Sequence, residues 1–91
     1  MKRYKSAAEV LKAIAHPTRL KILEVLLKKK GCVRDLEELL CKPQANISQH
    51  LTILRKAGIV DFNETGRQRC YFLEDPDKVI KILSCVNKTE I

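Results

Sequence analysis

From Val33 to Gly58 the chain reads VRDLEELLCKPQANISQHLTILRKAG, two helical stretches on either side of Lys42-Pro43. In the first, roughly Val33–Leu40, the apolar Val33, Leu36, Leu39 and Leu40 recur at helical spacing. Asp35, Glu37 and Glu38 suit the positive end of that helix. In the second, about Gln44–Ala57, Ile47, Leu51 and Leu54 stand at i, i+4 and i+7 as a buried stripe, and Gly58 ends it. The opposite face shows Gln44, Ala45, Ser48, Gln49 and Thr52, with Asn46 alongside. From Gln44 to His50 no residue carries a formal charge (His neutral).

A solvated helix face is usually richer in Glu and Lys, so this composition points to recognition. Gln and Asn can bond adenine N6 and N7 in pairs, Ser and Thr accept or donate, and Ala can touch the thymine methyl. Arg55 and Lys56, at the far end of the helix, suit phosphates better than bases. Two short helices across a tight turn, the second polar and uncharged, make a helix-turn-helix.

Downstream the period changes. Ile59–Asn63 and Gln68–Leu73 read as strands around Glu64-Thr65-Gly66-Arg67, a hairpin turn with Gly66 for positive φ. Arg67 and Arg69 then lie at the tip of a wing, where a guanidinium can enter a minor groove or clamp a phosphate. Asp75-Pro76 opens a last helix carrying Val79, Ile82, Leu83 and Val86. Upstream, residues 3–15 place Tyr4, Ala8, Leu11 and Ala15 on one helical stripe. His16-Pro17 breaks that helix, and Pro17 fits the first turn of a second helix running to about Lys30. Lys28, Lys29 and Lys30 suit its C-terminal end, and Gly31 is expected to take the left-handed conformation beyond it. The order is ααααββα: mainly α with a small β-hairpin, a winged helix-turn-helix.

Ninety-one residues fit one domain over 1–91. A chain this short buries about two-thirds of its unfolded surface, so a second subunit would add stability. The net charge is +7, and residues 1–30 hold nine Lys/Arg against two Asp/Glu. Such a balance favours a polyanionic partner, since neutralised phosphates release condensed counterions, without distinguishing DNA, RNA or anionic lipid. No apolar run reaches signal-peptide or membrane-span length, so a cytoplasmic location and no membrane partner are expected. There the four cysteines, Cys32, Cys41, Cys70 and Cys85, are expected as reduced thiols. No CxxC pair supports a zinc ribbon.

Four blocks carry a family resemblance. Leu11-Lys-Ala-Ile-Ala-His-Pro-Thr-Arg-Leu-Lys-Ile-Leu23 resembles the "LKALADPTRLxIL" stretch of the ArsR/SmtB repressors. Gln44-Ala-Asn-Ile-Ser-Gln-His-Leu51 is similar to their "QPTVSQHL" recognition helix, and Leu54–Val60 to "LREAGLV". Gly66-Arg67 with Tyr71 and Leu73 matches the wing "GRxxxYxL". The resemblance implies a homodimer formed mainly by the first and last helices, about 3–15 and 76–87. Tyr4, Ala8, Leu11, Val79, Ile82, Leu83 and Val86 would supply its apolar interface. The paired recognition helices would read an inverted repeat in double-stranded DNA and repress transcription until an inducer weakens binding.

The family's sensory patterns are incomplete here. Gly31-Cys-Val-Arg-Asp-Leu36 resembles the "LCVCDL" metal box, but Arg34 replaces its second cysteine. A soft ion such as As(III) wants several thiolates. The family's C-terminal zinc or nickel site uses Asp and His, and residues 76–91 hold no histidine. Its dithiol sensors pair the second and last helices, and here the second has no cysteine. Cys32 with Cys85, within or across subunits, is the thiol pair expected to sense a metal, metalloid or thiol-reactive inducer. Cys41 stands about 12 Å from Cys32 along a helix, and Cys70 on its strand can simply pack. Any cofactor is therefore unknown, with a metal at cysteine thiolates the one considered, and none is required for the fold. His16 and His50 suit structural or DNA-facing roles. Three other readings stay open: a DNA-binding regulator with no inducer, a winged helix used for protein or RNA contacts, and, most remotely, an enzyme.

Overall fold

The computed structural model describes residues 1–29 and 31–87. The elements are α1 (Lys2–Ile14), α2 (Pro17–Lys28), β1 (Gly31–Cys32), α3 (Val33–Leu40), α4 (Gln44–Lys56), β2 (Val60–Thr65), β3 (Gln68–Leu73) and α5 (Pro76–Asn87). Lys30, where the charge pattern ends the second helix, lies outside the described residues.

Local chemistry sets the boundaries that aim α4. His16 takes extended backbone ahead of Pro17, and its Nδ1 accepts the Thr18 N–H at 3.1 Å, capping α2. Cys41, with φ +53, closes α3 in the left-handed region. Gly58, with φ +77, closes α4: its N–H donates to the Arg55 carbonyl at 2.9 Å, and the Ile59 N–H to the Leu54 carbonyl at 3.0 Å. That bond pair is a Schellman motif, which only glycine makes without a Cβ penalty.

Leu23 of α2, Leu36 of α3, and Ile47, Leu51 and Leu54 of α4 are fully buried, so the helix-turn-helix sits on the core itself. Burial of each such side chain stabilises the fold by about 1.5–3 kcal/mol. The sheet is antiparallel in the order β1-β3-β2, with Phe62 opposite Tyr71 and Thr65 opposite Gln68.

Several expectations need correction. Gly31 is not a left-handed cap: positive φ among the glycines is found at Gly58 and Gly66. It begins β1, a third strand absent from the ααααββα reading, and pairs with Tyr71. Glycine fits there because an added Cβ would lie 3.0 Å from Leu26 Cδ2 and 3.4 Å from Leu36. Leu39, expected on the inner face of α3, is exposed. Val79 and Leu83, expected at the dimer surface, are buried in the core of their own chain, and Ile82 packs partly against it. The exposed large apolar residues of α5 are Ile80 and Val86. On α1, Tyr4, Ala8 and Leu11 are exposed.

The cysteines also differ from expectation. Cys32 and Cys70, facing each other across β1 and β3, form a disulfide, with Cα atoms 3.8 Å apart. Cys32 is therefore not paired with Cys85 in the chain, and Cys70 does more than pack. Cys41 and Cys85 are free and exposed.

Candidate nucleic-acid interface

The stripe Ile47, Leu51 and Leu54 locks α4 onto the core, and the rotation this imposes decides what faces outward. Gln44, Ala45, Gln49, Thr52, Arg55 and Lys56 are exposed, while Ser48 is half-buried. Thr52 Oγ1 donates to the Ser48 carbonyl at 2.9 Å, so its hydroxyl is partly engaged within the helix. Asn46 is half-buried, and its Oδ1 is buried with no protein partner, so its carbonyl turns away from the polar face.

The wing stands beside this face. Thr65 and Gln68 close a two-residue loop of Gly66 and Arg67. Gly66 has φ +65 while Arg67 does not have positive φ, the arrangement of a tight Gly-X hairpin turn. Arg67 is thus exposed at the tip, whereas Arg69 belongs to β3 rather than the turn. A groove between α3, α4 and the wing is lined by Arg34, Gln44, Ser48, Thr52, Arg67 and Arg69, with Glu37 and Glu64 among the remainder. It unites five of the sequence-predicted residues. Ala45 and Gln49 stand exposed on α4 outside that lining.

Arg34 joins the set and was missed as a contact residue. A signal was available: a cation near a helix N-terminus works against the helix dipole, so it has no helix-stabilising reason to be there.

Arg55 is held differently from a phosphate-seeking side chain. Its Nε donates to Asp61 Oδ1 at 2.9 Å, and its guanidinium lies 4.6 Å from the centre of the Phe62 ring. Arg69 lies over the same ring at 4.4 Å. The Arg55 bond, helped by the Phe62 backbone N–H, holds the Asp61 carboxyl below its usual range. An aromatic ring between two cations thereby couples the end of α4 to both wing strands.

The two histidines are structural neighbours. Their rings lie 4.5 Å apart, and Arg19 Nη1 donates to His50 Nδ1 at 3.1 Å. Arginine has no acceptor, so His50 carries its proton on Nε2 and is neutral. Burial first, then the charges of His16, Arg19 and Lys42, keep His50 below its ordinary pKa of 6.5. Arg19 Nε also donates to the Ala13 carbonyl, so one guanidinium joins the end of α1 to α4.

Among the described residues no group of three or more His, Cys, Asp and Glu is arranged to hold a metal ion, and no helix is long and apolar enough to cross a membrane.

The family model for bacterial regulatory proteins of the ArsR family matches residues 16–61, from the His16 cap to the first wing strand. The chain belongs to the ArsR family. It is similar to an uncharacterised HTH-type transcriptional regulator of Methanocaldococcus jannaschii, 43% identical over 89 residues, covering 97% of this chain and 99% of that protein. It is 41% identical over 70 residues to the HTH-type transcriptional repressor SmtB of Mycobacterium tuberculosis, covering 77% of this chain but 52% of that protein. Among solved structures it resembles NolR from Sinorhizobium fredii, with a TM-score of 0.86 and 32% identity over 97% of this chain and 87% of that one. Like its ArsR relatives, it is a transcriptional regulator with a winged helix-turn-helix DNA-binding domain.

Proposed function

We propose that this ArsR-family regulator is a cytoplasmic homodimer that binds an inverted repeat in double-stranded DNA and represses transcription. The observation that carries the reading is α4: fully buried on one side, polar and uncharged on the other from Gln44 to Thr52, beside a wing bearing Arg67 and Arg69. On this reading Gln44, Ala45, Ser48 and Gln49 meet base edges, while Arg34, Lys56 and Arg67 meet phosphates. Arg55 and Arg69 chiefly hold the wing to α4, and Asn46 and Thr52 support the polar face.

The dimer follows from α1. Residues 1–9 are exposed throughout, with Tyr4 63% and Leu11 59% exposed. An isolated helix of this length is marginal in water, so its apolar side needs a second surface. A second copy supplies one, with Tyr4, Ala8 and Leu11 of α1 joined by Ile80 and Val86 of α5. Self-association through a twofold axis then presents two copies of α4 to successive major grooves. The reading assigns no catalysis to the chain.

Footprinting of the DNA upstream of the protein's own gene tests it. A protected inverted repeat is expected, with Gln44→Ala plus Gln49→Ala weakening that site about a thousandfold or more, since the dimer loses four bidentate contacts at about 1–3 kcal/mol each. Non-specific duplex binding should persist. Equal binding to every duplex, or no effect of the double substitution, would favour a winged helix used for protein or RNA contacts.

A further inference from the structure

The Cys32–Cys70 bond lies at neither of the sensor positions that the family resemblance implies. Cys32 is the N-cap of α3, directly after Gly31, which is packed beneath Leu26 and Leu36. That side is anchored in the core. Cys70 lies in the middle of β3, between Arg69 and Tyr71, three residues from the wing tip. Pairing of β1 with β3 consists of two residue pairs, Gly31 with Tyr71 and Cys32 with Cys70. Half of that short ladder therefore carries the covalent bond. Side chains alternate along a strand, so the bond sits on the sheet face opposite Arg69 and Tyr71.

We propose that Cys32 and Cys70 are a reversible dithiol–disulfide site that locks the wing to the start of α3 and so couples DNA affinity to thiol redox state. The proposal rests on the DNA-binding reading above. In a reducing compartment a disulfide is characteristically transient and regulatory. The oxidant is a low-molecular-weight disulfide. The thiolate of Cys32 attacks one sulfur of it and expels one small thiolate. The Cys70 thiolate then attacks the Cys32 sulfur of the mixed disulfide and expels the second. One small disulfide is reduced to two thiolates, and two protein thiolates, having given up their protons to solvent, are oxidised to one bond. Reduction reverses both steps. Unbonded sulfurs cannot stay at bonding distance, so reduction removes the covalent tie between β1 and β3 and leaves the wing held to α4 by Arg55, Phe62 and Arg69, its position less tightly fixed.

The test uses the full chain with Cys41→Ser and Cys85→Ser, which removes the two exposed thiols. Oxidised and reduced glutathione set the redox state, and peptide mapping reads the bond. Amide hydrogen exchange reads β1 and β3, and anisotropy reads affinity for the footprinted duplex. The expected result is a Cys32–Cys70 bond within one chain, slower exchange in β1 and β3 when oxidised, and binding about three- to tenfold tighter than when reduced. A further Cys70→Ser change should leave affinity at the reduced level whatever the redox state, a readout that mere packing would not give. No bond under oxidising conditions, or affinity the same within twofold in both states, overturns the proposal. Redox-dependent exchange without duplex binding in either state overturns instead the DNA reading on which it rests.

Discussion

Helices α1 and α4 have the same length, 13 residues, and opposite fates. α4 sinks Ile47, His50, Leu51 and Leu54 into its own chain and keeps a polar face outside. α1 sinks Ala13 and Ile14, with Val10 partly covered, and leaves Tyr4 and Leu11 in solvent. One is a polar surface held in place by the monomer's own core; the other is an apolar surface that the monomer leaves exposed. Arg19 touches both, through the Ala13 carbonyl and His50. Similar helical periodicity thus serves the core in one place and, on the proposed reading, a second subunit in another.

The largest effect should come from removing an α4 anchor. Leu51→Ala is expected to lower unfolding free energy by about 2–5 kcal/mol in urea titrations, whereas Leu11→Ala should cost far less at dilutions where subunits are apart. Equal losses would erase the contrast. Next, Tyr4→Glu with Leu11→Glu should give a folded monomer by sedimentation, with DNA affinity down about a hundredfold because one helix no longer helps the other bind. A dimer that survived would move the interface elsewhere.

Arg67→Ala should act evenly across sequences, reducing the slope of log affinity against log salt by about 1.8, about 0.9 for each of the two copies in the dimer. A change in base preference instead would make Arg67 a reader. The smallest effect concerns the link between the helices. His50 is below 6.5 in the folded chain, so the unfolded chain takes up its proton first as pH falls. The stability from neutral His50 is present above pH 6.5 and lost progressively below it. Unfolding titrations from pH 7 to 5.5 should show that decline, and His50→Asn should flatten it.

Much of this was legible in local sequence. The stripe Ile47, Leu51 and Leu54, the stop at Gly58 and the turn at Gly66 depend on near neighbours, and the structure holds them as read. What local reading could not supply was the identity of the facing surface. Val79 and Leu83 have the spacing of an apolar stripe, which does not say whether core or partner covers it, and here the core does. β1 has two residues, too few to alternate, and Gly31 is needed for close approach rather than for its φ. The Cys32–Cys70 pair depends on a register between segments 38 residues apart. Arg55 and Arg69 carry the charge a phosphate contact needs, but Phe62 and Asp61, reachable only after the hairpin forms, engage them first.

The account stands on two copies of α4 being carried to duplex DNA together by the surface on α1. Selection of the full chain against a random duplex library tests this most directly. Enriched sequences should contain two inverted half-sites whose centres lie about 10–10.5 base pairs apart, or a multiple of that. Enrichment of a single unpaired half-site, or none at all, would contradict it.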